Sequence, residues 1–242
     1  MMKLAKISAR PQQGNSPSSL NNEWSFVERG FLVRLILVRH GQSVGNIVKE
    51  DMPDPPLTPL GVEQAKLTRD YLLDFEIDHI LASPLIRSLA TAQPLAQELG
   101  LPITVWRELM EVRRLGLYVG PSSLELLKTF PEAEFDPDIN EDGWVCEGNE
   151  TPRKAAMRAK RVLERLSPQY AGQTVAVFAH GDFNHYLLCA ALGITQYDMF
   201  RFRQSNGCVN IIDLTGEPVT VHVINDDMHQ RNVVLAVEQD VV

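Results

Sequence analysis

Residues 35–43 read LILVRHGQS, and residues 175–183 read VAVFAHGDF. Each is a short apolar run, then His-Gly, then a polar residue able to open a helix. Brief continuous apolar runs bounded by turn signals fit strands buried on both faces, as in a parallel sheet. Ligands of open parallel sheets bind beyond the carboxyl ends of the strands, where the chain order reverses. Two such endings on neighbouring strands would therefore bring His40 and His180 together. From Phe31 onward, β-branched runs alternate with longer amphipathic ones, which predicts an α/β fold. The expected architecture is a three-layer sandwich: a mostly parallel central sheet flanked by helices, with an antiparallel edge hairpin near the C-terminus from CVNIIDL (208–214) and VTVHVI (219–224).

Helix signals fall between the strands. Thr58-Pro59 opens a helix to about Asp74, and Ser83-Pro84 opens another to Leu99, which Pro94 is expected to bend or interrupt. Thr151-Pro152 begins a third, with Ala156, Ala159, Val162, Leu163 and Leu166 on one face and its charges read as solvated. Asp182 is placed to cap a helix ending near Leu192. Residues 1–30 read as a flexible leader and 31–242 as a single domain, with a lid at about 116–149.

The 242 residues are 44% hydrophobic and 22% charged, enough to bury a core unaided. A net charge of −8 repels nucleic acid. Three cysteines at unpatterned spacings indicate neither a disulfide framework nor a CxxC site. No apolar run approaches the ~20 residues that cross a bilayer, and the N-terminus lacks the apolar core of a secretory signal. These features point to a soluble cytoplasmic protein with no membrane partner. Oligomeric state is not written in the sequence, and a homodimer is compatible with it. His79, His185, His222 and His229 have no metal-ligand spacing, so neither metal nor cofactor is expected.

Arg39 directly precedes His40, and a fixed cation at a strand end is poorly explained by packing. Arg87, in SPLIRSLATA after the strand HILA, stands at another carboxyl edge. Gly41 and Gly181 allow close backbone approach, with the amides of the following helix pointing at the ligand. Two Arg and two His around one small volume would make a strongly cationic pocket in an acidic protein; such a site suits an anion, and a guanidinium fork matches phosphate oxygens.

The segments LVRHGQSVGN, SPLIRSLATAQPLA, RELMEVRRLGLYVG and FAHGD, in that order, resemble the histidine phosphatase superfamily, also called phosphoglycerate mutase-like. The resemblance spans about Leu32 to Ile224. It implies that His40 is the nucleophile and that Arg39, Arg87 and His180 bind the phosphoryl group. It also makes Asn46 a further phosphate contact and Glu111 the proton donor. Gly116 follows Glu111 by five residues where the family usually has four, which leaves Glu108 as a rival. After His40-Gly41 the chain reads IVKEDMPDPPLTPLG rather than the mutase-like FxGWxDxxL, favouring phosphatase over mutase. Six acids in the lid, Glu132, Glu134, Asp136, Asp138, Glu141 and Asp142, would also oppose a carboxylated bisphosphate, although Arg113 and Arg114 remain able to reach inward to a second anion. The expected function is a metal-independent phosphatase hydrolysing phosphomonoesters through a phosphohistidine. The alternatives are a cofactor-dependent phosphoglycerate mutase and a phosphate-binding protein without turnover.

Overall fold

The computed structural model describes residues 32–48, 50–214 and 219–233. The expected leader and the turn of the C-terminal hairpin lie outside them. The chain runs β1 (Val33–Arg39), α1 (Val44–Ile47), α2 (Pro59–Leu72), β2 (His79–Ala82), α3 (Ile86–Leu99), β3 (Ile103–Val105), β4 (Tyr118–Gly120), α4 (Ser123–Leu127), β5 (Ala133–Phe135), β6 (Trp144–Cys146), α5 (Pro152–Gln169), β7 (Thr174–Ala179), α6 (Gly181–Ala191), β8 (Val209–Leu214) and β9 (Thr220–Asp226). Seven strands form one sheet in the order β5-β3-β2-β7-β1-β8-β9. The first five of these pair in parallel, and β8 and β9 add an antiparallel edge. This is the expected sandwich.

Alternation along β1 builds the three layers. Ile36 and Val38 join Leu72 of α2 and Leu89, Leu95 of α3 on one face. Leu35 and Leu37 join Ala159, Val162 of α5 and Phe183, Leu187 of α6 on the other. Burying each of these larger aliphatic side chains stabilises by ~1.5–3 kcal/mol. Helix starts follow local chemistry: Thr58 and Thr151 each precede a Pro and accept an amide of the first turn, from Gly61 and Lys154.

Two expectations are corrected. Pro94 does not interrupt α3, which runs unbroken through it. Proline removes its own N–H bond, but Leu89, Ala92, Leu95 and Ala96 are all buried and hold both halves of the helix on the sheet. The helix begins later than its Ser83-Pro84 signal, with Leu85 at the N-cap. Within 116–149, β5 extends the central sheet beside β3, while β4 and β6 form a separate two-stranded sheet. Three of the six acids bond away from the site, Asp136 to Arg165, Asp138 to Arg107, and Glu132 to Gln93 and Gln97.

The loop after β1 is clamped to α2 by backbone approach. Gln42 O accepts from Thr58 N at 2.9 Å. A Cβ on Gly61 would collide with that Gln42 carbonyl, and one on Gly41 with the carbonyl of Gly61. Backbone has no rotamer with which to yield, so Gly61→Ala is expected to lower unfolding free energy by about 1–3 kcal/mol, read as a reduced urea midpoint at unchanged m-value.

Candidate active site

β1 and β7 run side by side with Arg39 opposite Ala179, so both deliver a His-Gly pair to the same sheet edge. The His40 N–H donates to the Ala179 carbonyl at 3.0 Å, and the His40 and His180 rings lie 5.2 Å apart between centroids. β2 flanks β7 and is followed by Ser83, whose N–H donates to Phe178 O at 3.1 Å. Arg87, in the first turn of α3, donates from Nε to His40 Nε2 at 3.3 Å. Arg39 Nη1 donates to the Gln204 carbonyl. A Cβ at Gly181 would stand 3.1 Å from Arg39 Nε, so glycine there lets the guanidinium lie against the start of α6.

The proton positions follow from the partners. His40 Nδ1–H donates to Gly41 O at 2.6 Å, which leaves the Nε2 lone pair facing Arg87. Burial, then the charges of Arg87 and Arg39, hold His40 well below its ordinary value, and His180 is lowered by burial, Arg87 and His40. Both shifts favour the neutral imidazole. Ser83 Oγ accepts from Leu85 N at 3.3 Å and lies 2.8 Å from His180 Nε2. Two buried polar atoms of this cluster, Arg39 Nε and His180 Nδ1, have no partner.

Glu111 meets the same group. Its carboxylate accepts from the amides of Val112 at 2.8 Å, Phe183 at 3.0 Å and Asp182 at 3.3 Å, so it sits at the amino end of α6. Burial raises its pKa and the charge of Asp182 adds to that, while the Val112 amide and Arg87 oppose. Glu108 lies elsewhere, 3.3 Å from Arg165 Nη1. Asn46 Oδ1 accepts from Ser43 N at 2.9 Å and Asn206 Nδ2 at 3.0 Å on the exposed helix α1. Asp182 does not cap α6, whose N-cap is His180; its carboxylate pairs instead with Arg114 and Arg201.

Two supports escaped the sequence. Asp54, in the loop before α2, accepts the Ile86 N–H at 2.9 and 3.1 Å and stands 3.5 Å from Arg87 Nη1. It thereby accepts the first amide of α3, while Ser83 accepts that of the N-cap Leu85. Burial lifts it to about 6. Arg158 of α5, expected on a solvated face, is 5% exposed. It forms a two-pronged pair with Glu150 at 2.8 and 2.7 Å, and donates to the carbonyls of Glu108 at 2.6 Å and Met110 at 2.7 Å. Its guanidinium lies 3.9 Å from the centroid of the Phe183 ring. A signal for it existed. Ala155, Arg158, Ala159, Val162 and Leu166 recur at helical spacing, which puts an arginine in the buried stripe. Among the described residues no group of three or more His, Cys, Asp or Glu is arranged to hold a metal.

The family profile of the histidine phosphatase superfamily (branch 1) matches residues 35–227. The chain is 29% identical to phosphoserine phosphatase 1 of Hydrogenobacter thermophilus over 82% of its own length and 94% of that protein. It is 26% identical to the adenosylcobalamin/α-ribazole phosphatase of Escherichia coli over 80% and 96%. Among solved structures, the α-ribazole phosphatase of Shigella flexneri aligns with a TM-score of 0.59 at 25% identity, covering 80% of this chain and 96% of that one. The fold is also that of the Entamoeba histolytica phosphoserine phosphatase solved with phosphoserine, with a TM-score of 0.60 at 22% identity over 81% and 98%.

Arg158 holds the backbone immediately before Glu111 and the Phe183 whose amide Glu111 accepts. Arg158→Met is therefore expected to let that carboxyl drift and to lower kcat on alkyl phosphates by about 100-fold. The burst of phenol from an activated aryl phosphate, a step that needs no proton donor, should be far less affected. Equal losses in the alkyl turnover and the aryl burst rate would reduce Arg158 to a purely structural residue.

Proposed function

The chain belongs to the histidine phosphatase superfamily (branch 1) and is a phosphatase of it, and from that premise we propose that His40 Nε2 takes the phosphoryl group from a phosphomonoester and passes it to water. The Nε2 lone pair attacks phosphorus as the bond to the ester oxygen breaks. Glu111 gives its proton to the departing oxygen, releasing the alcohol. The resulting carboxylate then removes a proton from water, whose oxygen attacks phosphorus and frees neutral His40 and inorganic phosphate. One hard step becomes two easier ones.

The observation that carries this reading is the pair of unpartnered buried atoms, Arg39 Nε and His180 Nδ1, beside a neutral nucleophile. Each unsatisfied buried polar group costs about 1–3 kcal/mol, and a tetrahedral oxyanion offers acceptors for both. Arg39, Arg87, His180 and the amide at Gly181 are the groups we assign to the equatorial oxygens, where most of the charge of the transferring group resides. Asn46, with Oδ1 engaged, has Nδ2 left to donate. The acid and the nucleophile are tuned in opposite directions. Raising the pKa of Glu111 favours the protonated form needed first, while depressing that of His40 keeps the nucleophile unprotonated.

His40→Ala should abolish turnover of alkyl and aryl phosphates with chelator present, and the wild type should carry acid-labile, alkali-stable phosphate on His40. Turnover of alkyl esters should follow a bell-shaped pH profile, falling at low pH as His40 protonates below its ordinary value near 6.5 and at high pH as Glu111 ionises above its ordinary value near 4.5. Glu111→Gln should remove the alkaline limb and cost about 100- to 10,000-fold on alkyl esters. With p-nitrophenyl phosphate it should instead give a burst followed by slow release. Full activity of His40→Ala would overturn the assignment.

A further inference from the structure

The names of the relatives do not agree on a substrate, but the cavity beside the phosphoryl site has a chemistry of its own. Resting on the phosphohistidine reading above, we propose that this cavity selects phosphomonoesters of uncharged alcohols with an apolar or aromatic body, and disfavours esters that carry a carboxylate near the phosphate. The cavity holds about 280 Å³ and reaches Arg87 and Glu111 at its inner end. That is just below the ~300–1,000 Å³ of typical small-molecule sites, room for a body of one or two rings.

Its walls are mostly apolar. Leu85 and Val112 are buried and Met110 is partly buried. Tyr118 and Trp144 meet edge to face at 5.4 Å to form an aromatic corner, and Tyr118 turns its hydroxyl 3.5 Å away to Asp54. Leu115 lines the mouth with half its surface exposed, at 52%, an apolar side chain with room for a ligand to cover it.

The only cations of the outer cavity among the described residues are Arg113 and Arg114, and each already faces a carboxylate. Arg113 donates from Nε to Gly116 O at 2.7 Å and from Nη2 to Asp51 Oδ2 at 3.4 Å. Arg114 donates to Asp182 Oδ2 at 2.8 Å. An incoming carboxylate would exchange one such partner for another and then face the one it displaced, with no net attraction in return. An apolar body loses nothing here and gains the burial of its surface. The acids that the sequence placed over the site do not line this cavity; Asp51 takes that part instead.

Benzyl phosphate, O-phosphoserine and 3-phosphoglycerate all release aliphatic alcohols, so comparing them isolates the pocket from leaving-group reactivity. With chelator present, kcat/KM for benzyl phosphate should exceed those for the two carboxylated esters by about tenfold or more, mainly through KM. Asp51→Asn, which frees Arg113, should raise the ratio of phosphoserine to benzyl phosphate kcat/KM several-fold, and Leu115→Ser should lower the preference for benzyl phosphate. Phosphoserine or 3-phosphoglycerate turned over as well as benzyl phosphate by the wild type would overturn the proposal, as would an unchanged ratio in Asp51→Asn. Failure of all three esters, with no acid-labile label on His40, would overturn the phosphohistidine reading instead.

Discussion

Hydrogen bonding of β1 to β7 in parallel register is the constraint from which the site follows. Arg39 opposite Ala179 puts the next residue of each strand, His40 and His180, at the same height on the same edge. A slip of one residue would turn one imidazole to the opposite face. The register is pinned by alternating burial on both faces, so the core that stabilises the domain also aligns the two histidines. β2, on the far side of β7, brings Ser83 and Arg87 into the same arc.

Gathering two guanidiniums and two imidazoles in a dry place would be prohibitive if all four were charged. The imidazoles yield: burial and the arginines keep both neutral. The arginines stay charged, and the Asp54 carboxylate, 3.5 Å from Arg87 Nη1, offsets part of that charge. Burial of Glu111 raises its pKa, which is the property a proton donor needs. Local positive charge thus survives within a chain of net charge −8.

The supports operate through backbone as much as through side chains. Arg158 fastens two carbonyls of the segment leading into Glu111, and Asp54 fastens the first amide of α3. Groups that place a reacting atom through its own main chain leave few rotamers in which it can be misplaced. The cavity beyond differs in kind, with apolar walls and charges matched in pairs.

The two strand–His-Gly motifs, their arginines, the helix starts at Thr58 and Thr151 and the layered fold were all legible in the sequence, because each rests on a local pattern: apolar runs, a capping hydroxyl before proline, a cation beside an imidazole. The order of segments was enough to name Glu111, but not to separate it from Glu108, since three residues of irregular chain carry no periodicity. Only the folded chain decides that Glu111 reaches the amino end of α6 while Glu108 turns to Arg165. The same holds for Asp54 and Ser83, whose partners lie 32 and 97 residues away, and for Arg113 and Arg114, whose neutralising carboxylates stand 62 and 68 residues distant. Hydrogen bonds and ion pairs act over a few ångströms in space and leave no spacing rule along the chain, whereas the hydrophobic periodicity that folds the domain repeats within a few residues and is written there directly.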